Sequence, residues 1–94
     1  MGAISHKSAE FLIRSRLVDA ERGDVDALFE LGVTYSTGRG GVSVDLIEAH
    51  KWFNLAALRG NEDAKTYRLE LSREMSKKEI AAAQKSAREW LRCH

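Results

Sequence analysis

Proline is absent from the 94 residues, and cysteine occurs once, at Cys93. Proline inside a helix removes a hydrogen-bond donor and clashes with the preceding turn, so its absence leaves long helices uninterrupted. A single thiol closes no internal disulfide, which excludes a secreted scaffold held together by cross-links. Long apolar runs are missing as well. Arg14 and Arg16 break the stretch from Met1 to Leu17 before it gains signal-peptide character, and no segment approaches the roughly 20 apolar residues of a membrane span. A cytoplasmic location is the default expectation, with no membrane partner. Excess charge of one sign is also lacking. Fifteen Lys and Arg against 14 Asp and Glu leave a net charge of +1, which gives no general attraction to nucleic acid. Lys77, Lys78, Arg88 and Arg92 sit among Glu79 and Glu89 and read as a solvated helix face.

What is present fits one soluble globular domain over 1–94: 44% apolar and 31% charged residues. Apolar spacing predicts five helices. The first runs from about Ser5 to Arg22, with Ala9, Leu12, Ile13, Leu17 and Ala20 on one stripe and the pair Phe11 and Val18 off it. Gly23 ends it. Asp24 caps a second helix, Val25 to Thr37, whose inward stripe is Ala27, Leu28, Leu31, Gly32 and Tyr35. Gly32 costs about 1 kcal/mol in a helix against alanine, and close helix packing is the reason to expect it there. The turn Gly38-Arg39-Gly40-Gly41 follows. Asp45 and Glu48 have the spacing of a capping box before a third helix, Leu46 to Arg59, which carries Ala49, Trp52, Phe53, Ala56 and Ala57 inward and stops at Gly60. Asn61 caps a fourth helix, Glu62 to Glu74, with Ala64, Tyr67, Leu71 and Met75 inward. Ser76 and Glu79 form a capping box for a fifth, Lys77 to Arg92, lined by Ile80, Ala83, Ala87, Trp90 and Leu91.

Self-comparison shows a repeat. Ala20-x-x-Gly23-x-x-x-Ala27 recurs 37 residues on as Ala57-x-x-Gly60-x-x-x-Ala64, and Ala49-x-x-Trp52-Phe53 recurs 38 residues on as Ala87-x-x-Trp90-Leu91. A period of this length built from two helices is that of a helical-hairpin solenoid. It divides the chain into an N-terminal helix (1–23), a first repeat (24–60), and a degenerate second repeat with a C-terminal capping helix (61–94).

No constellation for catalysis stands out. The glycine-rich turn is followed by no Lys-Ser or Lys-Thr and no strand precedes it, so it reads as a helix-to-helix turn with positive φ and not a phosphate cradle. His50 and Asn54, one helical turn apart, suit a structural hydrogen bond. His6 and His94 lie far from His50 in sequence, so no histidine pair of metal-binding spacing forms. Cys93 has no histidine at nucleophile spacing. No enzyme activity, metal or cofactor is expected.

The quoted residues resemble the Sel-one-like repeats, relatives of the tetratricopeptide repeats. The pattern runs Ala20-x-x-Gly23-x-x-x-Ala27-x-x-x-Leu31-Gly32-x-x-Tyr35-x-x-Gly38-x-Gly40, then Val42-x-x-Asp45-x-x-x-Ala49-x-x-Trp52-x-x-x-Ala56-Ala57-x-x-Gly60. The stretch Glu48 to Ala57 is similar to the bacterial variety. Gly41 adds one residue to the loop, Glu48 stands where the family commonly has lysine, and the cysteine pairs of the disulfide-bearing branch are missing. Arg68 and Leu69 replace the Leu-Gly pair in the second unit, which speaks against tight packing there. The resemblance implies an all-α, right-handed α–α superhelix and a scaffold that binds a protein or peptide. By analogy with the tetratricopeptide groove it places the contact on Asp26, Phe29, Val33, Ser36 and Thr37 of the second helix, and on Asp63, Thr66, Glu70, Arg73 and Glu74 of the fourth. The alternative is a structural module that self-associates end to end, a homo-oligomer with Phe11 and Val18 as the adhesive residues.

Overall fold

The computed structural model describes residues 6–94. The fold is all-α, as expected: α1 (His6–Glu21), α2 (Val25–Thr37), α3 (Leu46–Leu58), α4 (Glu62–Glu74) and α5 (Lys77–Cys93), with one short 3-10 turn over Arg39–Gly41 between α2 and α3. The ranges expected for the second and fourth helices are the observed ones. Ser5, expected to open the first helix, lies outside the described residues.

Each interhelical start is set by a side chain that fills free backbone donors. Asp24 accepts from the Ala27 N–H at 3.2 Å and Asn61 from the Ala64 N–H at 2.9 Å. Ser76 and Glu79 close a full capping box, at 3.1 Å and 2.8 Å. The box expected at Asp45 and Glu48 is only half made. Asp45 accepts from the N–H groups of Ile47 and Glu48, both at 3.1 Å, but its own N–H donates to the Tyr35 carbonyl at 2.9 Å. The Glu48 carboxylate turns instead to the indole N–H of Trp52, at 3.0 Å. Trp52 is buried, so its donor needs a partner, and that need outweighs the cap.

The sequence repeat corresponds to one turn used twice. Gly23 N–H donates to Ala20 and Asp24 N–H to Asp19, at 3.0 and 3.1 Å; Gly60 N–H donates to Ala57 and Asn61 N–H to Ala56, again at 3.0 and 3.1 Å. This is a Schellman ending, in which the glycine takes the left-handed backbone that other residues avoid; φ is +87° at Gly23 and +100° at Gly60. The cap and a buried alanine then follow at once. Ala20, Ala27, Ala57 and Ala64 are all buried because two helices meet at each turn.

The α2–α3 hairpin holds the most extensive helix interface. A Cβ added to Gly32 would lie 2.5 Å from Cδ1 of Phe53, so the glycine is there for close approach, as its helix position predicted. Around it lie Leu28, Leu31, Trp52, Phe53 and Leu55, with Thr34 buried beside them where the sequence stripe had placed Tyr35, which is half-buried. Helix α1 packs on α2 and on the 3-10 turn, where a Cβ on Gly40 would meet Leu12 at 2.7 Å.

Helices α4 and α5 both pack on α3 and scarcely touch each other. The sequence explains the open pair. Where α2 carries Leu28, Leu31, Gly32 and Tyr35, α4 carries Lys65, Arg68, Leu69 and Ser72, 37 residues on. Lys65 is exposed and Arg68 donates to Asn54 at 2.8 Å, so neither offers an apolar ridge to α5. Leu69, in the glycine register, is 58% exposed. Helix α5 lies on α3 through buried Ala83 and Ala87 and through Trp90, whose ring meets Trp52 edge-on at 4.8 Å. Lys51 lies over both rings, 4.4 Å from Trp52 and 5.6 Å from Trp90. Beyond Trp90, His94 stacks on that ring at 3.8 Å, and its Nε2 lies 3.3 Å from Glu21 of α1. Leu91, expected inward, is 44% exposed.

Candidate functional site

Three aromatic rings from three helices meet on the side where α2 and α4 approach. Phe53 of α3 is buried and supplies the base. Tyr67 of α4 stacks on it at 5.4 Å with 19° between planes. Phe29 of α2 touches both, 5.6 Å from Phe53 and 5.8 Å from Tyr67, in tilted geometry. Such contacts favour a fixed arrangement beyond simple burial. Tyr67 was expected inward; instead 45% of it is exposed, because only one ring face rests on Phe53. Phe29 and Val33, expected in the contact, are half-buried against the core. The exposed aromatic of this side is therefore Tyr67.

The other candidate residues distribute along the same two helices. Asp63, Glu70 and Glu74 stand four before, three after and seven after Tyr67, which puts them on its strip of α4; all three are exposed. Asp26, three before Phe29, is exposed as well, and so are Thr37, Thr66 and Arg73. The Ser36 and Thr37 hydroxyls donate to the Val33 carbonyl at 3.1 and 2.7 Å, which occupies their donor hydrogens within α2. Glu30 is bound by Arg39 at 2.7 Å, and Glu62 faces Lys65 at 3.8 Å. Asp26, Asp63, Glu70 and Glu74 have no cationic partner within ion-pair distance among the described residues.

His50 has a different role from the one its spacing suggested. It does not bond Asn54, whose amide oxygen accepts from Arg68. Its Nε2 lies 3.0 Å from Ser72 Oγ. That hydroxyl donates to the Arg68 carbonyl at 3.0 Å, so its oxygen accepts and Nε2 carries the imidazole proton. Nδ1 is then a buried acceptor with no partner. Burial, and secondarily the Arg68 guanidinium, pull the His50 pKa below its ordinary value. The neutral ring is a structural link between α3 and α4. Among the described residues no three His, Cys, Asp or Glu side chains gather as a metal site requires.

Two surfaces lie elsewhere. A cleft of about 520 Å³ runs between α1 and the glycine turn, lined by Ile13, Leu17, Tyr35 and Val42 among others. Burial, with Glu48 and Asp45 adding to it, raises the Tyr35 phenol pKa. On the outer side of α1, Phe11 is 74% exposed and Val18 43%.

The family model described as the Sel1 repeat matches residues 25–61, which span α2, α3 and the turn into α4. No curated protein and no solved structure matches the chain. Among the described residues no helix is long and apolar enough to cross a membrane.

Proposed function

We propose that this chain, whose residues 25–61 match the Sel1 repeat, is a protein-binding scaffold whose contact surface is the α2–α4 side. The observation that carries this reading is Tyr67, an aromatic ring held in place by Phe53 and Phe29 yet open to solvent over nearly half its area. A fixed, half-exposed tyrosine suits recognition, because little conformational freedom is lost when a partner covers it. In this reading the contact also takes in Asp26, Thr37, Asp63, Thr66, Glu70 and Arg73, exposed polar groups of the same two helices, and the half-buried Phe29, Val33 and Ser36. In this reading residues 61–94 are a degenerate second repeat ending in a capping helix, and 1–23 an N-terminal covering helix. The scaffold works without enzymatic chemistry, and its bacterial type and cytoplasmic location belong to the same proposal.

A second reading, end-to-end self-association, is favoured by the exposure of Phe11 and Val18 two helical turns apart on α1. A photo-reactive benzoylphenylalanine at position 67 or at position 11 separates the two. A cross-link from position 67 to a different protein supports the scaffold. A cross-link from position 11 to a second copy, with none from 67, overturns it.

A further inference from the structure

We infer that the α2–α4 side takes an extended peptide segment that pairs an arginine or lysine with an apolar side chain; this rests on the contact surface assigned above. The molecule as a whole is nearly neutral, so the charge of this side is a matter of placement. Helix α4 has three cations, and only one borders the strip of Tyr67. Lys65 is near Glu62 and Arg68 is spent on Asn54, while Arg73, three after Glu70, stands at the edge of the strip against three carboxylates. The strip itself carries Asp63, Glu70 and Glu74, and α2 adds Asp26, three before Phe29, in a cleft it shares with Arg16; all four are exposed, and among the described residues none has a cation within ion-pair distance. The result is an aromatic floor rimmed by carboxylates. The floor suits the apolar side chain of a ligand, and the Tyr67 ring face also attracts a cation through its quadrupole. The rim attracts guanidinium or ammonium groups and repels acidic segments and nucleic acid, so charge complementarity sets the sign of the partner.

The test uses two short fluorescein-labelled peptides on the intact chain, one alternating leucine with arginine and the other leucine with glutamate, followed by anisotropy. The arginine peptide is expected to bind at least about tenfold more tightly and to weaken as salt screens the rim. The double variant Asp63→Lys with Glu70→Lys lies on exposed positions and keeps the core. It should erase the difference between the peptides, whereas Tyr67→Ala should weaken the arginine peptide without reversing the preference. Equal binding of both peptides, or an arginine peptide indifferent to the charge reversal, overturns the inference; if Tyr67→Ala still weakens both peptides, the contact surface itself stands. Amide shifts that map the arginine peptide to α1 overturn both. Self-association of the chain that the arginine peptide competes away would make the basic face of α5 in a second copy the occupant, and would overturn the inference too.

Discussion

Residues 24–60 and 61–94 are each entered through the same turn, a Schellman glycine followed by an Asp or Asn cap and a buried alanine, yet only the first pair of helices closes on itself. The turn is local and needs few residues to specify it. Closure needs an apolar ridge with a gap in it, and α2 has both: Leu28 and Leu31 flank the space that Gly32 leaves for Phe53. Helix α4 keeps the alanine and loses the rest, so α5 rests on α3. A repeat can thus keep its punctuation while losing its packing code. The two pairs also differ in burial: the first builds most of the core, and the second leaves Tyr67 and the α4 carboxylates exposed.

The comparison can be broken most severely by removing α5. Trp90→Ala alone should cost about 3–5 kcal/mol, toward the lower figure because the ring is half-buried. A domain of this size holds about 5–15 kcal/mol in all. Truncation before Ser76 also uncovers Trp52, and circular dichroism should show that residues 1–75 lose cooperative thermal unfolding. A next, paired test places alanine at the same register of the two repeats. Gly32→Ala drives a Cβ into Phe53, a clash of about 1–3 kcal/mol. The helix-propensity gain of about 1 kcal/mol offsets it only in part. Leu69→Ala, at an exposed site, should stay within about 0.5 kcal/mol. Denaturation midpoints of the two variants measure the contrast directly. Glu48→Ala leaves the buried Trp52 N–H without its acceptor and should cost about 1–3 kcal/mol, while Glu48→Gln, which keeps an oxygen there, should recover most of it.

The smallest effect is a pH dependence at the α3–α4 contact. His50 titrates below its ordinary value in the folded chain, and at about 6.5 when unfolded. Above that value both states are neutral and the group is silent. As pH falls below about 6.5, the unfolded chain takes up the proton first, so stability drops until the folded pKa is passed and then levels off. The charged groups bearing on the ring favour the same sign, since Arg68 opposes a second positive charge. The fall in melting temperature between pH 7.5 and 5 should therefore be smaller in His50→Gln than in the parent chain.

Local signals are legible in the amino-acid sequence itself. The bounds of α2 follow from Asp24 and Gly38, those of α4 from Asn61 and the Ser76 cap of the next helix, and Gly32 signals a close approach. Partners set by tertiary placement are not legible in this way. His50 and Asn54 are one turn apart, but α4 offers both of them better partners in Ser72 and Arg68. Tyr67 fits an inward stripe by spacing, yet how far it emerges depends on where Phe53 lies beneath it. Glu48 and Trp52 are also one turn apart, and there the i to i+4 rule finds the bond, provided the burial of the indole is weighed above the cap. For the candidate surface, the acidic residues are legible as exposed positions; the aromatic among them is not.

One consequence of the α3–α5 contact is optical. Trp52 and Trp90 are the two tryptophans of the chain, and each touches the other. All indole emission and much of the near-ultraviolet circular dichroism therefore come from a single joint. Those signals report whether α5 is seated, independently of total helix content, which far-ultraviolet dichroism reports. A ligand or variant that lifts α5 without melting it would change the first signal and leave the second alone. The protein thus carries its own gauge for the docking of its last helix.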